Sequence, residues 1–577
     1  MSFNAVQPRL KRVVISAIIG VLCCIYLATM IVDTTTPWYS SFADRFGLIL
    51  VVAALLGAGI LVLCVEVVVD ARRSMKDPGS FEDKRNTQLW LWLAAGTLAL
   101  YLFSRLWGIA DPADSWRHTS YHSGLFASLG RNLVEQGWIN QCGDVRPPST
   151  GYHYGEPGDC WVYRSGWWSI PTHLMAGAIL IGVNPILTQR IIMLVVKLLT
   201  CSLVARIVHR SGASRRAVLI ASILYLTSAQ TGHYGRIFTW QPFSELSILI
   251  LANLLHDEWL GENSNRVRWF IIYAIGFVLP IIQGHDVAAT FCFAGLIHGL
   301  RHKTNGIAAW SLLIVCVIGG LVSWFVWSGF VTQVVQGGVS ALIENASRRA
   351  GWLEHWFSLS HWTRILAFQI LMIGPAIILI LLSTGRNKTP RFLLTTPANW
   401  NPSMMAAAIP ISYGVYYGLV FPQAAWVHDY ILYVHLAGIS MIAGILSERL
   451  NDRSLGKVLI TGLILNLLIL SGMYIERPFS DSIESQTWAA AHSDSEGTIV
   501  IENELYDEHL LAWYIGDDVI HIENNELSEV LESLDSGEVQ AIILRGESLP
   551  YLPAPYDEWC TASRSEFSPY ILTPCSS

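Results

Sequence analysis

The densest collection of reactive side chains lies in the stretch Asp111–Trp168, DPADSWRHTSYHSGLFASLGRNLVEQGWINQCGDVRPPSTGYHYGEPGDCWVYRSGWW. Asp111 and Asp114 open it, and a carboxylate there could take the proton of an acceptor hydroxyl beside a lipid boundary. His118 is a second group able to move a proton. Arg117, Arg131 and Asn132 could hold an anion, because a guanidinium offers a fork of N–H donors that matches a phosphate. A blander role for Asp111 and Asp114 is to cap the helix that follows, and both readings stay open. Trp116, Trp138 and Trp161 present faces suited to sugar C–H surfaces, whereas Trp167 and Trp168 suit anchoring at a membrane interface.

Four further groups could join such a site. Asp286 interrupts the apolar stretch 269–300, and an ionisable group at a span end is a functional candidate by default. A helix-capping role after Gly284 and His285 is the alternative. Glu245 begins the apolar segment 243–256, one turn after Gln241; it could bind substrate or offset the helix dipole. His428, Asp429 and Tyr430 form an acid/base or sugar-binding triplet that could equally be structural. Arg236 could meet a donor phosphate or a lipid headgroup. No Cys/His spacing resembles a zinc site, and no cofactor is required by the pattern; a divalent cation is compatible with it but not compelled.

These residues must be positioned by elements suited to a bilayer. The chain of 577 residues is 52% hydrophobic and 14% charged, where soluble proteins carry about 25% charged residues. Its mean hydropathy is +0.42. Apolar segments fall near 13–32, 46–69, 88–109, 166–183, 188–207, 217–234, 243–256, 269–285, 287–300, 306–328, 364–383, 404–422, 430–447 and 457–475. This predicts a polytopic α-helical membrane protein, with membrane lipid as its surroundings, of about 13–14 apolar segments. The first segment reads as a retained anchor with its N-terminus inside. Counting Lys and Arg puts Arg301–Lys303, Arg386–Arg391 and Arg449–Lys457 on the cytoplasmic side, and Asp111–Trp168, Asp286 and the C-terminal tail outside. One stretch defies the count. RIVHRSGASRR (206–216) belongs inside by charge, yet two full crossings after the long loop would leave it outside.

Within the long loop, Leu125, Leu129 and Leu133 recur every fourth position with Phe126 beside them. That spacing predicts an amphipathic helix lying along the membrane surface, with Arg131 among its polar residues. Beyond residue 475 the chain turns polar. From Asp481 to Ser577 there are 20 Asp and Glu against only Arg545 and Arg564. TIVIEN (498–503), VIHIEN (519–524) and AIILRG (541–546) read as strands, and the segments between them have helical spacing. The order predicts a small α/β domain outside the membrane, without a Gly-rich phosphate loop. Six cysteines fall in apolar spans. The others form two local pairs, Cys142 with Cys160 and Cys560 with Cys575, which suggest two disulfides in an oxidising compartment. No soluble basic face suggests nucleic acid, and no internal repeat suggests a carrier.

The loop pattern His118, Gly124, Ala127, Arg131, Asn132 and Gly137, delivered by a membrane span, resembles the GT-C superfamily of polyprenyl-phosphate-sugar-dependent transferases. It is similar to the bacterial proteins of glycosyltransferase family 39, the protein mannosyltransferase-like group. The resemblance continues in HYGRIFTWQPFSELSILI (233–250), QGHDVAATF (283–291) and VFPQAAWVHDYILYVHLAG (420–438), and covers roughly residues 88–577. Three positions depart from the family pattern. Ser120 stands where many members have Asp, Gln241 replaces the Glu of a Glu-Pro pair, and VYRSGWWSIP replaces a His-Pro-Pro-Leu motif. The resemblance implies two extra helices over 1–87, a GT-C-like membrane domain over 88–478 with its outer loop at 110–168, and a soluble domain over 479–577. It implies transfer of a sugar from a polyprenyl-phosphate donor to a glycan, lipid or protein acceptor outside the cytoplasm, with inversion, in a bacterial inner membrane. Asp114, Asp286 and His118 are then the catalytic candidates. Ser120 and Gln241 motivate an alternative, a degenerate relative that binds a lipid carrier or assembles with envelope-glycan enzymes.

Overall fold

The computed structural model describes residues 170–228, 237–261, 266–334, 401–422, 433–450, 498–502, 519–522, 527–534, 539–544, 546–563 and 570–575, with shorter pieces between 97 and 134 and between 231 and 459. Among the described residues, its apolar part includes α1 (Ile170–Leu180), α2 (Pro185–Arg210), α3 (Arg215–Thr227), α4 (Gln241–Trp259), α5 (Arg266–Gln283), α6 (His285–Arg301), α7 (Ser311–Val334), α8 (Pro402–Val420) and α9 (His435–Leu446). Four stretches among the described residues, Pro185–Arg210, Arg266–Gln283, Gly306–Trp324 and Pro402–Val420, are long and apolar enough to cross a membrane. Large apolar side chains such as Phe270, Val278, Leu321 and Trp324 face outward from α5 and α7, as expected where the surrounding solvent is lipid.

With 26 residues α2 is about 39 Å long, enough to cross a hydrocarbon core of about 30 Å. α1 is described only from Ile170 onward, and the side on which 206–216 lies stays an expectation from its charge. Proline at the first position and Asn184, which accepts from the Leu187 amide at 3.1 Å, start α2 immediately after α1. The basic turn then joins the other basic ends. Arg206 and Arg210 pair with Asp257 at 2.7 and 3.1 Å. Arg216 donates to the carbonyls of Ser447 and Leu450 at 3.2 and 3.3 Å.

The core of the bundle is α4, enclosed by α2, α6 and α8. The pair α8–α9 comes together at Gly438, where a Cβ would run into the Ala407 carbonyl oxygen. Such small-residue contacts let helices approach where no hydrophobic drive separates protein from lipid. Residues 123, 124, 126, 127, 130, 131, 133 and 134 are helical, in keeping with the helix expected in the long loop. That helix packs on α1, α2 and the start of α4 with the residues just before it. Phe126 meets Phe238 edge-on with centroids 5.7 Å apart, and Gln189 donates to the Ser123 carbonyl at 2.9 Å. Arg131 is half-buried.

Residues 498–575 form a five-stranded sheet: β1 (Thr498–Glu502), β2 (Val519–Ile522), β3 (Val539–Leu544), β4 (Cys560–Ser563) and β5 (Tyr570–Thr573), in the order β2-β1-β3-β5-β4. β1 is parallel to β2 and β3, and β5 is antiparallel to β3 and β4. The helix α10 (Leu527–Ser533) buries Leu527 and Leu531 in a cluster with Val500, Ile542 and Leu572. The first three strands stand where the apolar runs predict them. The last two escape the pattern, because CTAS and YILT are four residues each with little alternation.

Of the two disulfides expected from the cysteine spacing, the described residues contain one. Cys560 and Cys575 are bonded across the added hairpin. The other expected disulfide, between Cys142 and Cys160, is not among the bonds of the described residues, because Cys142 and Cys160 both lie outside them. The helix expected over 505–516 lies outside them as well.

Candidate active site

Asp286 sits in the first turn of α6, set there by Gly284, whose φ of 99° makes the tight turn out of α5. Glycine adopts that backbone at little cost, and other residues would be strained. The Asp286 side chain is fully buried. One carboxylate oxygen accepts from the Tyr413 hydroxyl at 2.7 Å and the Tyr417 hydroxyl at 3.3 Å, and the other accepts from the Val287 amide at 2.9 Å. Tyr413 and Tyr417 are one turn apart on α8, so a single helix face supplies both donors. No cation pairs with Asp286 among the described residues. The capping role is thus met only by its neighbour's amide, and the rest of the carboxylate is held by hydroxyl groups. Outward of it, His285 stands in an aromatic group with Tyr416, Tyr417 and Phe421, its ring centroid 5.3 Å from that of Phe421.

Glu245 has a different partner. It is fully buried in α4 and forms an ion pair with Lys197 of α2, itself fully buried. The same Glu245 oxygen accepts from the Tyr225 hydroxyl at 2.9 Å, and the Lys197 ammonium lies 4.1 Å from the centre of the Tyr433 ring. Lys197 stands about 18–20 Å from either end of α2, so the charge pair is deep in the bundle. One turn earlier on α4, Gln241 is buried and takes a hydrogen bond from Thr239. Tyr225, Tyr413, Tyr417 and Tyr433 belong to one buried cluster. Glu245 and Asp286 therefore lean on the same tyrosine-lined core from neighbouring helices. Glu245 is about 18 Å along α4 from Asp257, and Asp286 is about 22 Å along α6 from Arg301, which puts both toward the end away from the arginines.

Of the residues singled out by sequence, Asp286, Glu245, Gln241 and Arg131 are among the described residues; Gln241 and Glu245 lie one turn apart on α4, and Glu245 and Asp286 each accept from tyrosines of the same buried cluster. Asp111, Asp114, Arg117, His118, Asn132, Arg236, His428, Asp429 and Tyr430 lie outside the described residues, as do Cys142 and Cys160. Lys197 escaped notice because one Lys in the run 188–207 barely alters its hydropathy, although a mid-span charge is itself a signal. Tyr225, Tyr413 and Tyr417 read as ordinary span aromatics. Among the described residues, no three His, Cys, Asp or Glu side chains converge to hold a metal ion.

The same arrangement of helices is found in ArnT from Cupriavidus metallidurans. Its structure bound to undecaprenyl phosphate matches with a TM-score of 0.55 over 84% of this chain and 98% of that one, at 11% identity. Its apo structure gives 0.52 over 83% and 98%, at 13% identity. At this identity the likeness to ArnT is one of fold and does not extend to individual side chains. No protein-family model matches the sequence, and no curated protein matches it.

Proposed function

We propose that this GT-C-fold protein transfers a sugar from a polyprenyl-phosphate-linked donor to an acceptor hydroxyl on the extracytoplasmic side of the membrane. The observation that carries the reading is Asp286: a buried carboxylate with no cation beside it among the described residues, held by two tyrosine hydroxyls at the end of the bundle away from the arginines. The undecaprenyl phosphate bound to ArnT supports a lipid-phosphate donor. In this reading a carboxylate, Asp114 or Asp286, takes the acceptor's proton as its oxygen attacks the anomeric carbon. The bond from that carbon to the phosphate oxygen breaks, and the phosphate leaves with its electron pair. Arg131 and Arg236 stabilise the departing charge. Attack opposite the leaving group inverts the anomeric centre. The oxidising side of the membrane, where Cys560 and Cys575 pair, is taken as the side of the reaction.

Single alanine replacements of Asp114, Asp286 and Glu245 test the site in vesicles supplied with prenyl-phosphate sugars. Loss of transfer in the Asp114 or Asp286 variant is the expected result. Full transfer by all three variants contradicts the site, and no transfer by the unaltered protein from any common donor favours the carrier-binding alternative.

A further inference from the structure

The first turns of α4 hold polar groups that the reaction above leaves unused. Gln241, Ser244 and Glu245 are all fully buried, and their spacing places them on one arc of the helix. Part of their capacity is filled: Gln241 Oε1 accepts from Thr239, and Glu245 Oε2 takes the Lys197 ammonium and the Tyr225 hydroxyl. Among the described residues, Gln241 Nε2, Ser244 Oγ and Glu245 Oε1 have no hydrogen-bond partner. A buried polar atom left unmatched is costly, so a cluster of three calls for a ligand or ordered water.

The chemistry of the arc selects between ligands. It offers one donor (the Gln241 amide), one acceptor (the Glu245 oxygen) and one hydroxyl that does either. Adjacent sugar hydroxyls complement that set, because each can donate and accept. A phosphate would meet a carboxylate oxygen. An ammonium group would find the carboxylate already neutralised by Lys197, and would add an uncompensated charge to a buried site.

We propose that the first turns of α4 form a recognition subsite for the hydroxyls of an uncharged sugar, with Gln241, Ser244 and Glu245 making the contacts. Lys197 is the positioning residue. It cancels the charge of Glu245 and fixes the carboxylate so that Oε1 faces the ligand. The inference rests on the glycosyltransferase reading and names the sugar class that reading leaves open.

The test uses the full-length protein in nanodiscs and three probes: bare prenyl phosphate, the same lipid bearing a neutral hexose, and the same lipid bearing an amino sugar. The unaltered protein is expected to bind the neutral-hexose lipid more tightly than either other probe, by about tenfold. The double variant Lys197→Met/Glu245→Met replaces a buried pair by apolar groups of similar size, a change that proteins often tolerate. It should bind bare prenyl phosphate within about twofold of the unaltered protein and lose the preference for the hexose. Lys197→Met alone leaves the carboxylate uncompensated and should shift preference to the amino-sugar lipid, which a purely structural lysine would not do. Gln241→Leu, which leaves the ion pair intact, should also lose the hexose preference and serves if the double variant fails to fold. Retained hexose preference in the folded double variant or in Gln241→Leu overturns the subsite and assigns the unmatched atoms to water, as does a native preference for the amino sugar. Failure of the unaltered protein to bind any of the three lipids overturns the glycosyltransferase reading itself.

Discussion

The Asp286 carboxylate is fixed by hydroxyl groups on one helix face, so its orientation depends on Tyr413 and Tyr417 more than on its own helix. Tyr413→Phe removes the shorter of those bonds. It should cost about 1 kcal/mol of stability and reduce transfer about tenfold, with lipid binding unchanged, as read by thermal denaturation and by donor turnover. Removing the charge partner of Glu245 is a harsher change. Lys197→Met should destabilise by about 3–5 kcal/mol because it strands a buried carboxylate, and Glu245→Met added to it should recover most of that loss. A double variant no more stable than the single one would contradict a simple pair. Asp286 and Glu245 were legible in the sequence as carboxylates at the edges of apolar runs. Their partners were not, because a tyrosine or a single lysine in a span has no local signature of what it faces. That information is tertiary, set by which helices adjoin α4.

At the scale of elements, α2 is long and apolar enough to cross a membrane, and it carries the start of the basic stretch 206–216 at its C-terminal end. We propose that this end is cytoplasmic, as its charge suggests. A labelling experiment checks this arrangement. Cysteines placed at Arg215 and Arg266 should react with a membrane-impermeant maleimide from one side of the vesicle, and a cysteine at His285 from the other. Labelling of 215 and 266 from opposite sides would contradict an out-and-back path through α3 and α4. The apolar segments 188–207, 243–256, 269–285 and 287–300 matched their helices closely, because long periodic runs carry their own length, whereas the helix in 217–234 ends at Thr227. The helix of the long loop was legible too, and Phe126 and Leu133 are buried as its pattern requires.

Over the whole molecule, the sequence divides where the structure changes type, from apolar helices to an acidic α/β sheet. The parallel core β2-β1-β3 was readable from three apolar runs; the β4–β5 hairpin was not, since its short strands gain their order from pairing with β3 and from the disulfide. Cysteine spacing alone pointed to that disulfide, Cys560 with Cys575; the same spacing argument for Cys142 and Cys160 stays an expectation, since neither is among the described residues. The Cys560–Cys575 bond spans 15 residues, and closing a loop of this size contributes about 3 kcal/mol. Cys560→Ser should therefore lower the sheet's unfolding free energy by about that amount, measured by denaturant titration while the membrane helices stay folded. An unchanged transition would mean that β4 and β5 hold by pairing alone. The proposal of a transferase acting on a membrane-borne donor rests on the fold and on the buried Asp286 carboxylate. The most direct test is the rate and anomeric outcome of sugar transfer from a prenyl-phosphate donor by purified protein in vesicles, compared with Asp286→Asn. The account predicts an inverted product and a rate about 100-fold or more lower in the variant, the scale of a lost general base. Retained configuration, or equal rates in the two proteins, would contradict it.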